Sequence, residues 1–169
     1  ADDSGFGYWS EQVSMLGVKS FSVGLLNSEA NLKAINISVN HLGCAEFDVV
    51  LNNNHMGHCL LAVPGRHQIA NALAVIICCI ILEIPVQETL SSLEKFRGVK
   101  GRISLLKGLK GSTIYDDTYN ASPASMIAAI DMLASLPGAH IVVLADMGEL
   151  GDQSEFHHQK IASYAIQHL

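Results

Sequence analysis

The sequence predicts an α/β protein in two parts, and three observations carry that expectation. Between Val18 and about Val63, short apolar stretches alternate with polar turns at strand spacing. Pro64-Gly65 ends that pattern, and an apolar stretch of helical length follows it. Beyond Arg97-Gly98-Val99-Lys100-Gly101, a polar glycine-punctuated linker, the order strand, helix, strand recurs. The first part therefore reads as a β-meander backed by helices, and the second as a βαβ unit of a parallel sheet.

In the first part the expected strands are Lys19 to Val23, Leu32 to Val39, Cys44 to Leu51 and His58 to Ala62. Asn52-Asn53-Asn54 suits a hairpin turn, because asparagine tolerates positive φ better than most residues. Ala34, Asn36, Ser38 and Asn40 share one strand face, opposite Ile35, Ile37 and Val39, which predicts a half-buried strand. A buried helix is expected from about His67 to Leu82, and a second from Val86 to Lys95.

The linker places a domain boundary between residues 100 and 101. After it, Arg102 to Lys107 and Ser112 to Tyr115 predict a hairpin around Gly108 and Gly111. Met126, Ala129, Ile130 and Leu133 make one stripe of a helix that Pro123 opens and Pro137-Gly138 closes. Ile141 to Leu144 reads as a strand covered on both faces, and a last helix starts near Ser154. With no strand after it, the second sheet keeps an unpaired edge.

Composition narrows the function classes. Of 169 residues 49% are hydrophobic, enough for a sizeable core, and the formal charge is −6 with ten Lys and Arg. Non-specific binding to nucleic acid or anionic membrane is not expected of such a chain. The longest apolar run, Ala72 to Leu82, falls short of the roughly 20 residues a membrane span needs. Cys44, Cys59, Cys78 and Cys79 lack zinc-ligand spacing, and Cys78-Cys79 read as small core residues in a reducing cytosol. Asp2 and Asp3 stand where a signal peptide would be basic; with no initial Met and an incomplete sheet, the chain reads as an internal fragment.

The densest chemistry lies in Thr113-Ile114-Tyr115-Asp116-Asp117-Thr118-Tyr119-Asn120-Ala121-Ser122-Pro123-Ala124-Ser125-Met126. A β-prone run ends in two carboxylates, a polar turn follows, and Ser122-Pro123 opens a helix as N-cap and first residue. In an open α/β fold such a turn lies on the ligand-binding rim, which places Asp117 to accept from a polyol such as ribose. A turn that only shapes the loop is the alternative. His67 and Asn71 share a helix face, and the carboxamide of Asn71 matches the donor–acceptor edge of adenine. Arg102 carries fixed donors suited to phosphate at the linker. Tyr119 is a base-stacking or packing residue, and Asn120 a loop donor and acceptor. Asp146 and Met147 follow the second expected core strand. His158 reads as a satisfied half-buried histidine, and His55 and His58 as residues without partner acids. No metal site is expected, and neither a G-x-x-x-x-G-K-[ST] nor a G-x-G-x-x-G loop occurs.

The segment Asp116 to Met126 resembles the DD-[ST]-YNA-[NS]-P-x-SM signature of the D-alanyl-D-alanine-adding Mur ligases. Gly65 to Ala74, Gly101-Arg102 and Leu144-Ala145-Asp146-Met147-Gly148-Glu149-Leu150-Gly151 match the same family in the same order. The resemblance implies the end of a Mur-ligase central ATPase domain over 1–100 and a truncated Rossmann-like C-terminal domain over 101–169. It implies an ATP-dependent, cytoplasmic ligase that joins D-Ala-D-Ala to UDP-N-acetylmuramoyl-tripeptide in peptidoglycan synthesis, through an acyl phosphate. By the same resemblance His67, Asn71, Arg102, Asp117 and Tyr119 face ATP, and Asn120, Asp146 and Met147 face the peptide substrates. The phosphate loop, the Mg²⁺-binding acid and the carbamylated lysine of the family precede this stretch, so no catalytic residue is located and the chain alone is expected to be inactive. Two departures stand out: Gln68 replaces the family's first Asn, and Ala145 replaces a glycine, where a methyl would crowd the loop if φ were positive. A folylpolyglutamate-synthetase-like or other Mur-type ligase, and a non-catalytic nucleotide-binding remnant, are the rival readings.

Overall fold

The computed structural model describes residues 1–169, and they divide into two compact units. One comprises residues 1–38, 45–62 and 67–96; the other comprises 39–44, 63–66 and 97–169.

The first unit is built on a sheet in the order β1 (Val23–Gly24), β2 (Leu32–Val39), β3 (Cys44–Leu51) and β4 (Asn54–Pro64). Asn52 and Asn53 both have positive φ, 47° and 66°, the paired left-handed geometry of a tight hairpin turn between β3 and β4. The meander reading fails at its start: of Lys19 to Val23 only Val23 is in a strand, and β1 pairs with β2 in parallel, Val23 opposite Leu32. Helix α1 (Phe6–Met15), which buries no residue, was not foreseen.

The buried face of β2 also differs from expectation. Leu32 and Ala34 are buried, whereas Ile35 and Val39 are exposed. Asn36, at φ 53°, interrupts the extended backbone between them, and Ile37 beyond it is half-buried. A left-handed residue inside a strand shifts the side-chain alternation, so the even-numbered face does not stay polar along its length.

Helix α2 (His67–Ile81) is apolar from Ala72 onward, but only the stripe Ile69, Ala72, Leu73, Ile76 and Ile77 is buried. With Phe47, Val49, Cys59 and Leu32 it makes the core of this unit. Cys78 is exposed and Cys79 half-buried, so the vicinal cysteines are not the core residues the sequence indicated. Helix α3 (Val86–Lys95) buries Thr89 and Leu90. A Cβ on Gly57 would stand 2.7 Å from Leu90 Cδ1, so only glycine lets β4 and α3 approach this closely.

In the second unit β5 (Ser104–Lys107) and β6 (Thr113–Asp116) form an antiparallel hairpin with Leu105 opposite Tyr115. Helix α4 (Pro123–Ala134) starts as predicted: Ser122 accepts from the Ser125 N–H at 3.2 Å, and the Ser125 hydroxyl returns the favour to the Ser122 N–H at 2.9 Å. Helix α5 (Ser154–His168) packs on α4 around Ile130, Met147, Ile161 and Ala165. The expected core strand Ile141 to Leu144 does not form. The segment joins no sheet, and Ile141 and Val143 are 88% and 91% exposed. A strand borrows its hydrogen bonds from neighbours, and this stretch finds none within the chain.

Candidate functional site

Arg102 is fixed from both sides by the aspartate loop. On one side the Tyr119 N–H donates to the Gly101 carbonyl at 2.9 Å; on the other the Ile103 N–H donates to Asp117 Oδ1 at 3.2 Å. Between these two bonds the Arg102 guanidinium lies 4.2 Å from the centre of the Tyr119 ring, within cation–π range. Gly101 has φ 74°, and a Cβ there would meet the Tyr119 nitrogen at 3.1 Å, so the turn requires glycine twice over. Ile103 is buried at φ 50°, a conformation that a β-branched residue adopts only under constraint. The hydrogen bond to Asp117 is part of that constraint.

Asp116 and Asp117 divide their work. Asp116 Oδ1 accepts from the Thr118 hydroxyl at 2.7 Å and from the Thr118 N–H at 3.3 Å, a side-chain turn that shapes the loop. Asp117 is half-buried and braces the Gly101-Arg102 turn. A carboxylate has more acceptor sites than this single bond uses, so it retains capacity for a hydroxyl pair. The Tyr119 ring is 67% exposed, but Arg102 stacks on it. Asn120 Oδ1 accepts from the Ala121 N–H at 3.0 Å, and its side chain is at the surface.

In the first unit His67 opens α2, and Asn71 lies one turn later, exposed. The Asn71 amide donates to Gln68 Oε1 at 3.0 Å. The longer Gln68 arm thus pairs with Asn71 and orients its carboxamide.

Asp146 is fully exposed beside α5, whereas Met147 is 4% exposed and belongs to the α4–α5 core. Met147 holds its loop in place by packing. A cavity of about 360 Å³ is bordered by Met126, Leu144, Asp146, Met147, His158 and Ile161. Ala145 is not among the residues of positive φ; Glu149, at φ 62°, makes the left-handed turn of this loop instead. The methyl at 145 therefore carries no conformational penalty.

Two features escaped sequence reasoning. His158 is half-buried and satisfied, as the sequence indicated, but its partner was not foreseen: Nε2 accepts from the Met147 N–H at 3.1 Å. His55 and His58 do have partner acids: His58 Nδ1 lies 2.9 Å and His55 Nε2 3.5 Å from Asp48 Oδ1, and His58 Nε2 lies 3.7 Å from Glu46. The Asn52-Asn53 turn was the available signal, because it folds β4 back along β3, where both acids reside. Hydrogen bonds from Asn36 and His58 hold Asp48 down at about 2, and the Asp48 bond raises His58.

Comparison with known proteins converges on one group. Residues 101–169 match the family "Mur ligase, glutamate ligase domain". The chain is 33% identical over 165 residues to the UDP-N-acetylmuramoyl-tripeptide--D-alanyl-D-alanine ligase of Escherichia coli (strain K12), covering 98% of this chain and 36% of that enzyme. A crystal structure of MurF from Acinetobacter baumannii superposes with a TM-score of 0.83 at 27% identity, over 95% of this chain and 34% of that one. MurF ligase from Thermotoga maritima, solved in complex with ADP, shares the fold with a TM-score of 0.78 at 22% identity, over 96% of this chain and 36% of that one. The chain thus spans about a third of the length of the relatives it matches.

Proposed function

Because the chain belongs to the Mur ligase family, we propose that it contributes nucleotide- and dipeptide-side contacts to an ATP-dependent ligase. That ligase joins D-Ala-D-Ala to UDP-N-acetylmuramoyl-tripeptide in the cytoplasm. The observation that carries this reading is the locked contact of the Gly101-Arg102 turn with the Asp116–Tyr119 loop, two family motifs joined by one backbone bond and by one bond to the Asp117 carboxylate. Arg102 keeps an exposed guanidinium whose donors suit phosphate, and Asp117 keeps acceptor capacity for a ribose. In the family's chemistry a tripeptide carboxylate is activated as an acyl phosphate and the dipeptide amine attacks it. Arginine charge supports the transferring phosphoryl group in reactions of that type.

In this assignment His67 and Asn71 border the adenine, with Gln68 fixing the Asn71 amide. Tyr119 supports Arg102 rather than stacking freely on a base. Asn120 and Asp146 face peptide, and Met147, next to Asp146, packs into the α4–α5 core. We place the boundary between the ATPase-type and C-terminal domains at residues 100–101, a reading supported by the family match that starts at residue 101. Mg²⁺ would be held by residues other than these.

Calorimetric titration of the 169-residue chain with ATP tests the nucleotide contacts. Wild-type heat that is reduced at least fivefold in both Asp117→Ala and Asn71→Ala supports them; heat unchanged in both variants overturns them. The chain alone is expected to release no ADP with tripeptide and dipeptide present. Substrate-dependent ADP release would refute that expectation.

A further inference from the structure

We infer that His158 is a positioning residue: in its neutral form it latches the Ala145–Met147 loop to α5, and protonation of its ring releases the loop. A backbone N–H only donates, so the 3.1 Å contact between the Met147 N–H and Nε2 requires a bare lone pair on that nitrogen. The ring proton then sits on Nδ1, which donates to the Ser154 carbonyl at 2.7 Å. One tautomer of the uncharged imidazole satisfies both bonds. A proton added at Nε2 opposes the Met147 N–H with another donor. A carboxylate acceptor for that proton, Asp146 Oδ1, lies 3.4 Å away.

Asp146 is the charged group facing the ring from the loop. From its own helix Ser154 faces it, the hydroxyl oxygen 3.4 Å from Nδ1, and the core that α4 offers here is Met126, Ile127 and Ile130, which carry no charge. Protonated, His158 exchanges a backbone partner for a carboxylate one residue away, and Asp146 is pulled from its exposed position. The ring also borders the 360 Å³ cavity. The latch therefore sets the wall of a space with a carboxylate at its edge. That this space receives the dipeptide rests on the function proposed above; the latch itself does not.

Amide hydrogen exchange by NMR on the 169-residue chain tests the latch directly. In His158→Phe, which keeps a ring but no acceptor, the Met147 amide is expected to exchange about tenfold faster, the scale of one lost hydrogen bond, with Ile130 and Ile161 amides unchanged. His158→Gln, whose Oε1 reaches the position of Nε2, restores protection to within about threefold. Equal Met147 protection in wild type and His158→Phe overturns the proposal. Acidifying the wild type until the His158 ring resonances report protonation avoids any variant that fails to fold. Corrected for intrinsic exchange, Met147 protection falls with acid while Ile130 protection holds; constant Met147 protection overturns the proposal. In the ligase, His158→Phe raises KM for D-Ala-D-Ala with kcat within about twofold, because only positioning is lost. An unchanged KM beside a confirmed amide effect removes the dipeptide from this cavity and leaves the latch standing.

Discussion

Two apolar stretches of this protein have opposite fates. Val49 and Val50 in β3 are buried in a sheet between β2 and β4. Ile141 to Leu144, equally apolar and equally β-prone, joins no sheet and stays largely in solvent. Strand formation depends on partners to which backbone groups can bond, and hydrophobicity alone does not supply them. A helix makes its hydrogen bonds within itself, so α4 and α5 form beside the unpaired stretch.

Removing the sheet's central side chain should break the contrast most strongly. Phe47→Ala is expected to cost about 3–5 kcal/mol in denaturant unfolding, since the ring is fully buried. Gly101→Ala should cost about 1–3 kcal/mol, through positive φ and the close Tyr119 nitrogen. Gly148→Ala, where nothing lies within 4 Å of the new Cβ, is the matched control. Loss of the α4 cap in Ser122→Ala is expected to remove about 1 kcal/mol. Val143→Ser should shift stability by less than about 0.5 kcal/mol, because that side chain is almost wholly exposed. A larger loss on thermal melting would mean that the unpaired stretch is packed after all.

The smallest effect is a pH dependence. Asp48 is depressed in the folded state, so its contribution is full above the ordinary carboxylate range near 3.9 and fades as pH falls toward about 2. His58 is raised, so its contribution is full below about 6.5 and fades as pH climbs through its folded value. Asp48→Asn should therefore flatten the melting-temperature profile at both ends. An unaltered profile would dissociate the cluster from stability.

Legibility followed the same physics. The helices α2, α3, α4 and α5 were readable because spacing, proline and capping residues are local signals. The hairpin at Asn52-Asn53 was readable for the same reason. The parallel β1–β2 pairing and the fate of Ile141 to Leu144 depend on distant partners and were not. Neither was the break at Asn36, where a single left-handed residue changes which face of β2 is covered. At the candidate site, motif order indicated Arg102 and Asp117, but not that Asp117 bonds the backbone beside Arg102. The Met147–His158 bond joins a loop to a helix and leaves no periodic trace.

The double fastening around Arg102 has a mechanical consequence. With the Gly101 carbonyl and the Ile103 amide both tied to the aspartate loop, the guanidinium and the loop move as one lever. A ligand that tugs on Asp117 thereby re-aims the arginine without touching it.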